Sequence, residues 1–184
     1  MNNAGRGISR PVLALTDVDL DAMVAVNVKS ALYGMQAIVP HFVGRGRGHL
    51  VNVSSFLGRV PLVTFRSAYT AAKAALNALT ANLRVDLGSS HPGIHVSLVM
   101  PGVVSTEFAR NALGAATPSV LPPGTRAQTA EEVADCIADL IAHPVAEVYT
   151  SPAQQALVQA YFQDVAAFEA RAAAPPGPLP GSTN

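Results

Sequence analysis

The sequence predicts an α/β fold in which a parallel sheet is covered by helices on both faces. Three observations carry that expectation. Short, continuously apolar runs at 49–54, 94–100 and 147–150 alternate with longer stretches whose apolar residues recur at helical spacing. Strands buried on both faces read as unbroken apolar runs, and strands separated by helices become parallel neighbours. Hydrophobic residues make up 49% of the 184, with alanine spread throughout, which suits helices packed on a sheet around one sizeable core.

Taken in order, the first helix begins at Thr16, a capping residue type, and its apolar positions Leu20, Met23, Val24, Val26, Val28, Leu32, Met35 and Val39 predict one long helix, irregular near Pro40. Asp17, Asp19 and Asp21 stand two apart and share no face, so they read as a solvated first turn favoured by the helix dipole. Residues 49–54 predict a strand, 67–89 a helix and 94–100 a second strand. Thr129 and Glu132 have the spacing of a capping box for a helix to about residue 142, and 147–150 predict the last strand. Residues 152–173 predict a single terminal helix whose Leu157, Tyr161, Phe162, Val165 and Phe168 would pack against the domain or a second subunit. One domain is expected over 1–173, and the Pro/Gly-rich 174–184 are expected to be disordered.

Composition narrows the function. Twelve basic residues balance twelve acidic ones, so no net field steers the chain to nucleic acid or an anionic membrane. The apolar stretches read as too short for a membrane span, no signal peptide is visible, and a cytoplasmic location is expected. Cys136 is the single cysteine; it reads as a small buried hydrophobe. The five histidines show no metal-ligand spacing, and no metal is expected.

The chemistry concentrates in one segment. Tyr69 and Lys73 are four apart on a predicted helix and therefore share a face. A tyrosine of ordinary pKa, about 10, is a poor base at neutral pH. An ammonium roughly 5 Å from the phenol, at an effective dielectric of about 20, contributes on the order of 3 kcal/mol, or roughly two pKa units, toward ionisation. Fourteen residues before Tyr69, Ser55 closes a predicted strand. Asn2-Asn3-Ala4-Gly5 opens the chain, Asn27 follows Asn3 by 24 residues within a helix, and Pro101-Gly102-Val103-Val104-Ser105-Thr106 follows another strand.

These elements, in this order, closely resemble the classical short-chain dehydrogenase/reductase family, from residue 1 to about residue 150. The resemblance implies the C-terminal part of a Rossmann-like doubly wound parallel sheet, its N-terminal βαβ half missing. It implies that Asn27, Ser55, Tyr69 and Lys73 form a catalytic tetrad, with Ser54 the alternative to Ser55. Asn3, Ala4 and Gly5 would lie beside the adenosine ribose of NAD or NADP. Pro101, Gly102 and Val104 would meet the nicotinamide, with Thr106 near the cofactor and Tyr69 and Lys73 touching it. It implies an NAD(P)-dependent oxidoreductase acting on a small alcohol or carbonyl compound, a homo-oligomer, and a mobile lid over 107–128, where Phe108, Leu113, Val120 and Leu121 sit among prolines.

Two departures from the family pattern qualify this. The serine-to-tyrosine spacing is one residue longer than usual, which the loop 56–67 would absorb. The family's opening strand, glycine-rich turn and helix, about eighty residues that receive the pyrophosphate, are absent from the sequence. Gly44, Gly46 and Gly48 precede a strand and read as a turn rather than a phosphate loop. Met1 stands where the family has valine or isoleucine, so a truncated gene model is expected, with activity needing the missing half. The alternative is a noncatalytic fragment acting only through subunit association.

Overall fold

The computed structural model describes residues 1–114 and 126–173. In chain order its elements are β1 (Ile8–Ser9), α1 (Asp17–Val24), a π-helical turn (Ala25–Lys29), α2 (Ser30–Arg45), β2 (Gly48–Val53), α3 (Ser67–Leu87), β3 (Ile94–Met100), β4 (Leu113–Gly114), α4 (Ala130–Ala142), β5 (Glu147–Tyr149), α5 (Pro152–Gln163) and α6 (Val165–Ala173). The expected α/β architecture is present. The main sheet has the order β2-β3-β5, all parallel, with Leu50 opposite Val96 and Val99 opposite Val148. A second, two-stranded parallel sheet joins β1 to β4.

Strand alternation sends side chains to two faces. On one face Leu50 and Val96 pack with Ala31 and Met35 of α2 and Leu76 of α3, while on the other Val51 and Val99 meet Leu140 of α4. Helices on both faces make the sheet doubly wound. A buried polar thread ties the chain's start to this frame. The Asn2 amide donates to Asn52 Oδ1 at 2.8 Å, Asn52 Nδ2 donates to Thr80 Oγ1 at 2.9 Å, and Thr80 Oγ1 donates to Leu76 O at 2.7 Å. Backbone bonds from Asn2 N to Val51 O and from Val53 N to Asn2 O set residue 2 as a parallel neighbour of β2.

Several expectations need correction. The irregularity in the first long helix lies at Ala25–Lys29, around Asn27, and not near Pro40, which sits inside α2. Ser30 helps to hold the widened turn by donating to Val26 O at 2.5 Å. Taken end to end, Asp17–Arg45 spans 29 residues and contains an 18-residue stretch of mean hydropathy 1.3, long and apolar enough to cross a membrane by length and composition. That corrects the reading of the apolar stretches as too short. Here the segment buries Met23, Val28, Ala31 and Met35 in the core of the domain.

Asp19 is not solvated: it is buried and closes a capping box with Thr16, whose hydroxyl accepts from Asp19 N while Asp19 accepts from Thr16 N. Thr129 and Glu132 form the second capping box as expected. The terminal helix breaks at Asp164, which leaves helical geometry at φ −154° and ψ 90° and whose carboxylate accepts from Ala167 N. Tyr161 consequently packs on Phe168 across the break, and Phe162 stays exposed. Cys136 is half-buried, with its thiol pushed up by desolvation and by Asp139. The expected tail 174–184, and Val120 and Leu121 of the expected lid, lie outside the described residues.

Candidate active site

The side chains singled out in the sequence gather at the carboxyl ends of β2 and β3, where open α/β sheets place their ligands. The π turn is what aims Asn27. Its side chain is buried, donates from Nδ2 to Met23 O at 3.1 Å and to Arg6 O at 3.0 Å, and accepts from Arg6 N at 3.2 Å. The Arg6 backbone is thus clamped on both sides, which fixes Gly5. A Cβ on Gly5 would stand 3.1 Å from Asn27 Oδ1 and 3.5 Å from Lys73 Nζ, so glycine lets the chain pass close over both groups.

Tyr69 and Lys73 lie on the first two turns of α3, both buried, with Lys73 Nζ 5.7 Å from the Tyr69 ring centroid and donating to Val53 O at 2.9 Å. Lys73 was expected to bring the phenol down; the balance in the folded chain runs the other way. Desolvation pushes Tyr69 up to about 12, opposed by hydrogen bonding with Ser55 and by the Arg66 charge. The same desolvation pushes Lys73 down to about 8. Both charged forms are penalised by removal from water, and sequence spacing alone does not reveal how completely the pair is enclosed.

The two serines separate cleanly. Ser54 is turned beneath α3, donating to Asn77 Oδ1 at 2.5 Å and to Lys73 O at 3.3 Å. Asn77 in turn donates to Gly58 O, where a Cβ would collide with Asn77 and the Lys73 backbone. Ser55 instead caps the short turn Phe56–Gly58 by accepting from Leu57 N at 3.2 Å, and its hydroxyl stands 3.5 Å from Pro101 O. Pro101 O also accepts from Phe56 N, which sets the segment after β3 beside Ser55.

Gly102 lies against the Gln154 amide of α5, which fills the space a Cβ would need. Val104 is bridged to Gln128, and Thr106 is exposed. Ala4, Gly5 and Arg6 line an open concavity of about 690 Å³ with Val26, Arg110, Asn111 and Ala112. Asn3 is exposed at the same turn.

Sequence reasoning passed over Arg66 and did not foresee that Phe108 touches Tyr69, ring to ring at 5.5 Å and 62°. The signal for Arg66 was its position, three residues before Tyr69 and hence one helical turn away. Among the described residues no three His, Cys, Asp or Glu side chains cluster as metal ligands would.

Buried hydroxyl, phenol and ammonium groups beside an open concavity fit the nicotinamide and ribose end of a dinucleotide, with the tight turn at Gly5 for close backbone approach. A family model described as short chain dehydrogenase matches residues 1–115. An uncharacterized oxidoreductase of Staphylococcus epidermidis is 33% identical over 106 residues, covering 58% of this chain and 45% of the relative, so the chain spans about half the length of the curated relatives it matches. A short chain dehydrogenase from Burkholderia cenocepacia in complex with NADP is similar at TM-score 0.77 and 31% identity, covering 95% of this chain and 68% of that one. A short chain dehydrogenase/reductase from Burkholderia phymatum in complex with NAD is similar at TM-score 0.76 and 26% identity, covering 90% and 65%.

Proposed function

Because the chain belongs to the short chain dehydrogenase family, we propose that it interconverts a secondary alcohol and a carbonyl compound with NAD or NADP. The observation that carries this reading is the enclosure of Asn27, Ser55, Tyr69 and Lys73 around Gly5 and Pro101. When bound, the dinucleotide supplies or accepts a hydride. Asn3, Ala4 and Gly5 would hold its ribose side, Pro101, Gly102, Val104 and Thr106 its nicotinamide side, and Lys73 and Tyr69 the ribose between.

The chain's own groups handle the proton. A phenol held up to about 12 keeps its proton at neutral pH, which suits Tyr69 as the acid that protonates the carbonyl oxygen during reduction. Ser55 donates to the same oxygen and stabilises the charge that develops there. Lys73, buried and brought down to about 8, is a cation that titrates in the working range, and it orients the ribose. Asn27 holds the widened helix turn and, through the Arg6 backbone, the floor under Gly5.

A homo-oligomer is part of this proposal, supported by exposed Val18, Tyr33, Ile38 and Val85 on α1, α2 and α3. The test pairs turnover with binding, using NADH and NADPH with hydrophobic ketones. Tyr69→Phe keeps the ring and removes the proton. It is expected to lower turnover by about 10²- to 10⁴-fold while dinucleotide affinity stays within a few-fold. Wild-type turnover in Tyr69→Phe would overturn the assignment.

A further inference from the structure

Arg66 is a buried cation that the mechanism so far leaves unused. It is the residue immediately before α3, and its side chain is 8% exposed. Nη1 donates to Ile8 O at 3.1 Å, and the guanidinium carbon lies 5.6 Å from the Phe65 ring centroid. Gly7 packs directly on it: a Cβ there would stand 2.7 Å from Arg66 Nη1 and 3.0 Å from the Phe108 ring, which is the ring that touches Tyr69. Arg66, Phe108 and Tyr69 therefore form one packed group over the Gly7 backbone.

Among the described residues no carboxylate lies within ion-pairing distance of Arg66, whereas Arg10, Arg59, Arg84, Arg110 and Arg126 each have one. Burying a guanidinium without a counter-charge costs several kcal/mol. A tie to one backbone carbonyl does not require a permanent charge; a neutral amide would serve. The cost is offset if a neighbouring group becomes negative during the reaction. Tyr69, one helical turn away, is that group. Desolvation lowers the Arg66 guanidinium and raises the Tyr69 phenol, and their mutual attraction opposes both shifts, the phenolate drawing the guanidinium up and the guanidinium drawing the phenol down. Arg66 is the more strongly basic of the two cations near the phenol, since burial brings Lys73 down to about 8.

We propose that Arg66 is a positioning residue, a buried cation that stabilises the Tyr69 phenolate needed in the alcohol-oxidising direction. This rests on the oxidoreductase reading above. In that direction the phenolate oxygen takes the alcohol O–H proton, the carbinol C–H electron pair leaves as hydride to the dinucleotide, and the carbon–oxygen double bond forms. The other charged group in contact with the Tyr69 ring is Lys73 on α3, its Nζ 5.7 Å from the ring centroid. Arg10 pairs with Asp19, and Arg110 with Glu107.

The test needs no turnover. A fluorotyrosine placed at position 69, more acidic than tyrosine, reports ionisation of that one phenol through its ¹⁹F shift. Arg66→Met is expected to raise the midpoint by about one pH unit or more, and Arg66→Lys by less than half as much. Equal shifts in both variants, or none in either, would overturn the proposal and leave Arg66 a structural tie. Should Arg66→Met fail to fold, the side-chain ¹⁵N signal of Arg66 in the otherwise unaltered chain is expected to move with the ¹⁹F midpoint. An Arg66 signal that ignores that midpoint would equally refute it. Absence of alcohol oxidation with the expected shifts present would instead count against the oxidoreductase reading alone.

Discussion

The two faces of the sheet are built differently. On the α2/α3 side Ala31, Met35, Leu50, Leu76, Leu87, Ile94 and Val96 form a continuous buried core, and the polar groups Asn52, Ser54, Lys73, Asn77 and Thr80 are threaded through it. On the α4 side the buried cluster is Val51, Val99 and Leu140, with Ile137 and Val148 partly covered. Lys73 and Ser54 belong to the dense side, and Tyr69 sits in a separate buried cluster at the start of α3 with Ile8, Met23, Val28, Leu57, Ala68 and Ala72. Of the segment expected to meet substrate, 107–128, residues 107–111 lie on largely exposed chain. Under the proposed function, the packed helix would handle the proton while exposed loops would meet the substrate.

Substitutions can break or sharpen that comparison. The largest expected effect is on the dense face: Leu76→Ala should cost about 4 kcal/mol and Leu140→Ala about 2 kcal/mol in denaturant unfolding, because the sparser side relaxes more easily into a cavity. Equal losses would abolish the contrast.

Next comes pH. Lys73 is depressed in the folded chain to about 8 from 10.5, so between those values the unfolded chain binds the extra proton and stability should rise with pH, by about 3 kcal/mol at most. Tyr69 acts oppositely: its folded value of about 12 exceeds the unfolded 10, and stability should fall as pH passes from 10 to 12. Lys73→Met should remove the rise and leave the fall, as read from unfolding midpoints across pH.

The serines give a smaller and more selective effect. Ser55→Ala should lower turnover roughly 100-fold with little change in stability, whereas Ser54→Ala, which strands Asn77, should cost about 1 to 3 kcal/mol of stability. The reverse pattern would exchange their roles. Smallest is Gly5→Ala, expected to weaken nicotinamide nucleotide binding a few-fold by calorimetry as its methyl presses on Asn27 Oδ1 at 3.1 Å.

Much of this was legible in the sequence, for identifiable reasons. The Thr129 and Glu132 capping box is a local pattern, and strands β2 and β3 fall within a residue of their expected ends because both faces demand apolar side chains. Features that depend on distant partners were not legible. β1 and β4 have two residues each, too few to leave a periodic signal, and exist because Ile8 finds Leu113. Asp19 reads as solvated and Arg66 drew no reading at all, yet the fold buries both. The break at Asp164, which brings Tyr161 onto Phe168, falls at neither a glycine nor a proline. For the site, spacing brought Tyr69 and Lys73 together but could not say which environment would dominate their titration.

The central claim is that this site transfers a hydride under control of the Tyr69 proton. It is tested most directly by joining the family's opening strand, glycine-rich turn and helix to the chain, incubating it with a carbinol-deuterated hydrophobic secondary alcohol and NAD or NADP, and locating the label by NMR. Deuterium on the nicotinamide ring in the wild-type reaction, and none above background with Tyr69→Phe, is the expected result. Label transfer at the same rate with Tyr69→Phe, or no transfer from any secondary alcohol in the wild type, would contradict it.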